Sequence, residues 1–319
     1  RQDISGIVAD AGTDPALAKS LQNARDILLF AEQELKLPAG DSYQTYVETG
    51  QSAVTWNVIA APEFSLVAKK WCFPVAGCVP YRGYFEQEKA HRFADKLQAK
   101  GLDVAVTPVT AYSTLGWFDD PLLDTMMHGA ETRLAATLFH ELAHQKIYIS
   151  GDTAFNESYA SFVERAGVRA WLENNEDPAL GTGQERLDRA RADFNRLLSD
   201  TRKRLARLYA SDQSDARTRE AKAEIFAEMT ANYRHMSTER WGGRDYYRNW
   251  FMLGLNNARL ALFASYEGGV CAFSALFREA DQDMFQFHEL ARQRSDLPDE
   301  ERREWLDQGC SDVASGSDL

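Results

Sequence analysis

His140 and His144 stand four residues apart in "HELAHQ", with Glu141 between them, and another acid, Glu157, follows thirteen residues after His144. On a helix, residues four apart lie one turn above each other on a single face, so both imidazoles can address one cation. Glu141 is rotated about 100° from His140 by the repeat of roughly 3.6 residues per turn. That makes it a poor ligand beside them and a good partner for a water held at the same cation. A catalytic zinc site takes three protein donors and keeps one position open, so a further donor must arrive from another element. "SGDT" at 150–153 has turn composition, and "AFNESYASFVERAGVRAWL" then resumes helical spacing. In an antiparallel helix hairpin centred near Gly151, His144 lies seven residues before the turn and Glu157 six after it, so the two side chains come level. Glu164 comes level with the neighbourhood of His140, one to two turns further along, where it suits an imidazole N–H better than the metal. The spacing therefore predicts His140, His144 and Glu157 as Zn2+ ligands and Glu141 as general base. The plain alternative is an exposed helix with a His–Glu–His face. The apolar flank of Leu138, Phe139, Leu142, Ala143 and Ile147 argues instead for burial.

These residues need elements to hold them. Residues 12–37 carry helical periodicity, with Asp14 as cap and Pro15 in the first turn. Five short segments rich in β-branched and aromatic residues follow: "SAVTWNVIAA", "FSLVAKKW", "VPYRGYF", "LDVAVTPV" and "AYSTLGWF". Residues 86–100 read as a helix between two of them. From Asp124 onward the chain is nearly all helical, and 184–210 and 215–236 place apolar residues for an antiparallel pair folding back at "SDQSD". The expected class is α+β, mainly helical, with the HExxH helix of a zincin packed against a small antiparallel sheet and a long antiparallel helix pair. The expected division is 1–123, N-terminal helices and a small β-rich part, and 124–319, the helical zinc-binding part, together one integrated domain.

Composition sets outer limits. The chain has 319 residues, 44% hydrophobic and 26% charged, with a formal charge of −12. It is long enough to bury a core, and its sign speaks against nucleic acid or an anionic membrane surface as partner. The first residue is Arg1, which fits either a removed leader or a shortened chain. Four cysteines, at 72, 78, 271 and 310, leave open whether Cys72–Cys78 and Cys271–Cys310 are disulfides or separate thiols.

"HELAHQ" followed by "NESYASFVE" resembles the gluzincin metallopeptidases, in which a glutamate on a following helix completes the HExxH site. The second segment is similar to the Asn-Glu-x-Phe-Ala stretch of zinc aminopeptidases related to aminopeptidase N. The connector of twelve residues is shorter here, and no Gly-x-Met-Glu-Asn strand lies upstream. A wider resemblance, through "WCFPVAGCVPYRGYF", "AYSTLGWFDDPLL", "HELAHQ…FNESYASFVE" and "LNNARLALFASY", is to the predicted aminopeptidases of Gram-negative bacterial lipoproteins. It implies a periplasmic or outer-membrane-anchored protein, touching the membrane only through a lipid anchor absent from this chain.

The resemblance also implies supporting residues. Asn156 and Glu164 are expected to support the ligands from behind. An edge strand beside the zinc helix should pair with substrate backbone. "AYSTLGWF" is the candidate, placing Tyr112 and Gly116 at the substrate and Asp119 or Asp120 on its free amino group. Against the latter, "DDPLL" also reads as a helix N-cap with Pro in the first turn, the commoner use. Tyr266 is the preferred donor to the tetrahedral oxyanion, ahead of Tyr233 and His235. Tyr81, Arg82 and Tyr84 fit a sheet strand, although they could line the cleft. His91, His128 and His288 have no partner at ligand spacing. The expected activity is a zinc-dependent peptidase acting on peptides, with an aminopeptidase favoured. The alternatives are an endopeptidase of the same mechanism and a catalytically silent peptide binder. The oligomeric state is not readable.

Overall fold

The computed structural model describes residues 1–311 except 75–76, 112, 116, 176–177 and 268, and the side chains of 178–180, 263–267 and 309–311 are also left out. The chain opens with β1 (Gln2–Asp3), α1 (Ile4–Ala9) and α2 (Pro15–Gln33), then runs through β2 (Thr45–Val47), β3 (Thr55–Pro62), β4 (Trp71–Phe73), β5 (Gly77–Val79), β6 (Arg82–Tyr84), α3 (Gln87–Gln98), β7 (Leu102–Val109) and β8 (Leu122–Leu123). The helices α4 (Glu131–Lys146), α5 (Thr153–Asn174), α6 (Pro178–Tyr209), α7 (Asp215–Glu239), α8 (Arg248–Met252), α9 (Asn257–Glu267), α10 (Val270–Glu279), α11 (Met284–Ser295) and α12 (Asp299–Ser311) follow. The class is mainly helical α+β, as the periodicities predict. Among the described residues no helix is long and apolar enough to cross a membrane.

Local chemistry sets many of these boundaries. The Asp14 side chain accepts from the N–H groups of Ala16 and Leu17, with Pro15 as first helical residue, so α2 starts where its sequence signature places it. The main sheet has the order β6-β3-β7, all antiparallel, with β3 and β7 paired from Thr55↔Val109 to Pro62↔Leu102. Side chains alternate across this sheet as the pleat requires. Val58, Ala60 and Val104 pack under Ala90, Ala94 and Leu97 of α3, whereas Ile59, Ala61 and Ala105 pack on Ala258 of α9. A separate core joins α6 to α7 through Phe194, Leu198, Leu205, Ile225 and Met229. The largest core draws Leu21 and Ile27 from α2, Leu138 and Phe139 from α4, Tyr159 and Val163 from α5, and Phe273, Phe287 and Leu306 from the C-terminal helices.

Three segments depart from the sequence expectation. Within "FSLVAKKW" only Trp71 enters a strand, and no described residue of "AYSTLGWF" does. "DDPLL" caps no helix: Leu122 and Leu123 pair in parallel with Tyr46 and Val47 of β2. The 113–120 loop instead closes on itself, with Thr114 N–H donating to Asp120 Oδ2 at 2.8 Å and the Thr114 hydroxyl donating to the Phe118 carbonyl at 3.0 Å. Aromatic and β-branched composition does not by itself make a strand, and the described residues of this segment join no ladder.

The β4–β5 hairpin is closed by the Cys72–Cys78 disulfide, and among the described residues no cysteine is free. Cys310 lies outside the described side chains. Gly77, at φ +72°, rests on the turn between α4 and α5: a Cβ there would stand 2.6 Å from the Gly151 nitrogen. Gly151 itself has φ +83°, a conformation that side-chain-bearing residues rarely take.

Candidate metal centre and its cleft

α4 and α5 form the antiparallel hairpin that the turn composition predicts. Gly151 makes the reversal, and the Asp152 side chain caps α5 by accepting from Phe155 N–H at 3.0 Å. Asp152 is fixed in turn by the buried Arg302, whose Nε lies 2.6 Å from Oδ2. Asn156 holds the connection from inside: its Nδ2 donates to the Ile149 carbonyl at 2.8 Å and its Oδ1 accepts Ile149 N–H at 2.9 Å. Asn156 therefore braces the backbone between the helices and makes no hydrogen bond to the ligand side chains.

The hairpin brings His140, His144 and Glu157 together, one donor atom from each lying within 4.8 Å of the others. The two Nε2 atoms are 3.2 Å apart, and the Glu157 carboxylate reaches both, at 3.4 Å from His140 and 3.8 Å from His144. On its other side His140 Nδ1 lies 3.1 Å from Glu164 Oε2, which fixes the ring and leaves Nε2 directed at the cluster. The donor set fits a metal ion. Glu157 Oε2 is buried and makes no hydrogen bond, with His140 Nε2 standing 3.4 Å away, an arrangement that a cation at the cluster would satisfy better. Two imidazole nitrogens and one carboxylate oxygen are the donors that a catalytic zinc site uses.

Electrostatics at the cluster suits the same chemistry. Burial depresses the His144 pKa to about 4, so the ring is held in the neutral form that ligates. At His140 burial opposes a charge, but Glu157 and Glu164 outweigh it and hold the pKa well above the usual value. Burial also works against the charge on Glu157, yet His144 and His140 keep its carboxyl below the ordinary range. Glu141 behaves differently. Burial, with the negative charges of Glu157, Asp120 and Glu164, pushes it up to about 7 against the opposing pull of His140. A carboxylate poised there can take and return a proton near neutrality.

His140, Glu141 and Glu164 line a cleft of about 640 Å³. Its lining includes Arg133, Ala136 and Thr137 of α4 and the end of β7 with its continuation, residues 107–111. The end of β7 therefore shares the cleft with α4, together with Ala111, the first residue of "AYSTLGWF". β7 is flanked by β3 on one side only. The Val104 carbonyl, on the outer side, accepts from Asn256 Nδ2, and two-residue alternation turns Val106 and Pro108 the same way.

The other candidates separate clearly. Asp120 is buried and spent on the loop bonds to Thr114 and Ser113, while its own carbonyl accepts Tyr43 N–H. Asp119 is exposed, and its carbonyl receives Arg1. Neither lines the cleft. Tyr233 is packed among Phe194, Trp241 and Phe251 with its hydroxyl on Asp245, and His235 is exposed on α7. Tyr112 and Gly116 lie outside the described residues, and Tyr266 belongs to α9 with its side chain outside them. Two further tyrosines stand near the cluster: Tyr81, which the sequence offered either as a strand residue or as cleft lining, and Tyr148, which it did not single out. Burial raises the Tyr81 hydroxyl pKa, as do the charges of Glu157 and Glu141, which places that hydroxyl within electrostatic range of the cluster. The Tyr148 ring stands edge-on to His144 at 6.3 Å. Tyr148 follows His144 by one turn in the sequence and could have been found that way. Tyr81 arrives through tertiary folding, the strand itself beginning one residue later at Arg82.

A family model described as "Putative aminopeptidase" matches residues 1–306. Neither the curated proteins nor the solved structures compared with the chain include a match.

Proposed function

The chain belongs to the putative aminopeptidase family, and from that premise we propose that it is a zinc-dependent aminopeptidase whose general base is Glu141. The observation carrying this reading is the level placement of Glu157 with both imidazoles, beside a carboxyl held near neutrality. His140, His144 and Glu157 would hold the ion; when bound, zinc supplies a Lewis acid and makes a water nucleophilic at neutral pH. Glu141 takes the proton of the attacking water and delivers it to the departing amine. Glu164 keeps the His140 ring oriented. The outer edge of β7 receives the extended substrate backbone as an added strand, and the Tyr81 hydroxyl serves as donor to the tetrahedral oxyanion.

The test separates metal from base. Glu141→Gln should retain stoichiometric zinc and lose about 10²- to 10⁴-fold in peptide hydrolysis; unchanged hydrolysis would remove Glu141 from the mechanism, and a wild type that binds zinc without cleaving anything would leave the peptide-binding alternative. A mixed-peptide digest read by mass spectrometry decides between exopeptidase and endopeptidase, stepwise N-terminal loss being the expected result. The Cys72–Cys78 disulfide supports an oxidising, periplasmic location. Fractionation of cells expressing the full-length protein checks this, and recovery in the cytosol would reject it.

A further inference from the structure

The cleft has a second charged feature, a set of three arginines: Arg133 on α4, Arg165 on α5 and Arg191 on α6 all line it. Burial works against the charge on Glu164, and two of these arginines, Arg191 and Arg165, help His140 hold that carboxyl below its usual range. On a chain of net charge −12, three guanidinium groups on one cleft are against the general balance. The carboxylates among its described lining residues are Glu141 and Glu164; the first is the base, and the second is engaged with His140. Arg191 lies 4.0 Å from Asp188 on its own helix, at the outer limit of an ion pair, and Arg133 makes no ion pair among the described residues.

We propose that this arginine wall binds a carboxylate of the substrate, so that the enzyme acts on short peptides carrying an anionic group within about three residues of the cleaved bond. The inference rests on the peptidase reading above. Its scale comes from α4: Arg133 and His140 are seven residues apart, roughly 10 Å along the axis at 1.5 Å per residue. An extended peptide covers that distance in about three residues at roughly 3.3 Å each. Guanidinium is suited to the task because its planar fork matches a carboxylate with two parallel hydrogen bonds. The carboxylate can be the terminal one of a tripeptide-sized substrate or an acidic side chain; either presents the same group to the wall.

Three matched peptides distinguish the sources: a neutral tripeptide with a free C-terminal carboxylate, its C-terminal amide, and an amidated peptide with glutamate in the last position. Hydrolysis by the zinc-loaded full chain should favour at least one acidic form over the neutral amide by about tenfold or more, mainly in KM. A preference for the first alone names the terminal carboxylate; a preference shared by the third names any nearby acid. Arg133→Gln and Arg191→Gln should each bring the ratio toward one, and Arg133→Lys should restore part of it. Equal rates on all three peptides, or a preference untouched in both glutamine variants with native circular dichroism, would overturn the proposal. Titration calorimetry of the same peptides adds a readout independent of turnover. Carboxylate-dependent binding without hydrolysis would sink the peptidase reading and keep this one. Hydrolysis without carboxylate dependence would do the reverse.

Discussion

In the α6–α7 hairpin the buried Asp193 carboxylate receives the indole N–H of Trp241 at 3.1 Å and lies 2.9 Å from the Arg240 guanidinium. In the α4–α5 hairpin the buried Glu157 leaves Oε2 without a hydrogen bond, and His144 leaves Nδ1 without one. Both are antiparallel helix pairs around apolar seams, and both bury charge. The first settles its charge internally and is complete as a scaffold. The second pairs part of its charge through His140 with Glu157 and Glu164, yet gathers two imidazole nitrogens and a carboxylate within 4.8 Å of one another, a donor set that a cation would complete. Buried polarity alone does not mark a functional site; buried polarity that its own protein leaves unmatched does. His288 makes the same point for histidine. It is buried, but Tyr159 Oη lies 2.7 Å from Nδ1 and Nε2 lies 2.8 Å from the Leu35 carbonyl, so a neutral ring with its proton on Nε2 satisfies both contacts and has no use for a metal.

The contrast breaks most visibly at the ligands. His144→Ala should reduce bound zinc from one equivalent to none by atomic emission, while Asp193→Asn keeps the full equivalent; zinc retained in the first or lost in the second would erase the distinction. Leu198→Ala, at a fully buried seam position of α6, should cost about 2–5 kcal/mol in urea unfolding with zinc content unchanged. His288 supplies a pH signature. Burial, with the charges of Lys146 and Arg292 and against the Leu35 carbonyl, lowers its pKa to about 4. The unfolded chain, near 6.5, then binds more protons than the native one between these values. The stabilisation from the neutral ring is complete above about pH 6.5 and disappears as pH falls toward 4, a loss of about 3 kcal/mol. Urea midpoints of wild type and His288→Gln across this range should converge on acidification; parallel curves would rule the effect out. The smallest effect should come from Glu164→Gln, which keeps a hydrogen bond to His140 but removes the charge. About 10- to 100-fold weaker zinc affinity by competition with a chelator is expected.

The sequence made the ligand hairpin legible because its evidence is local. Helical spacing puts His140 and His144 on one face, "SGDT" marks the reversal, and counting outward from Gly151 brings Glu157 level. The long pair at 184–210 and 215–236 was readable for the same reason. The substrate side was not. Which strand lies at an edge depends on its neighbours, and "LDVAVTPV" and "AYSTLGWF" look equally strand-like until one of them pairs with β3. Asp119 and Asp120 read either as partners of a free amine or, more commonly, as a helix cap, because the Asp120 bonds to Thr114 and Ser113 form only after the turn closes. The arginine wall is assembled from three helices, and no window of sequence contains it.

The Gly77–Gly151 contact carries a consequence for anyone redesigning the molecule. Gly77, next to the disulfide-bonded Cys78, faces the Gly151 backbone and the Ser150 hydroxyl, behind the reversal that sets how far Glu157 stands from the histidines. A methyl group at position 77 would have to be absorbed by moving that reversal, and the spacing of His140, His144 and Glu157 would register the displacement. The spacing of the three candidate ligands can therefore be probed from a hairpin that contributes none of them.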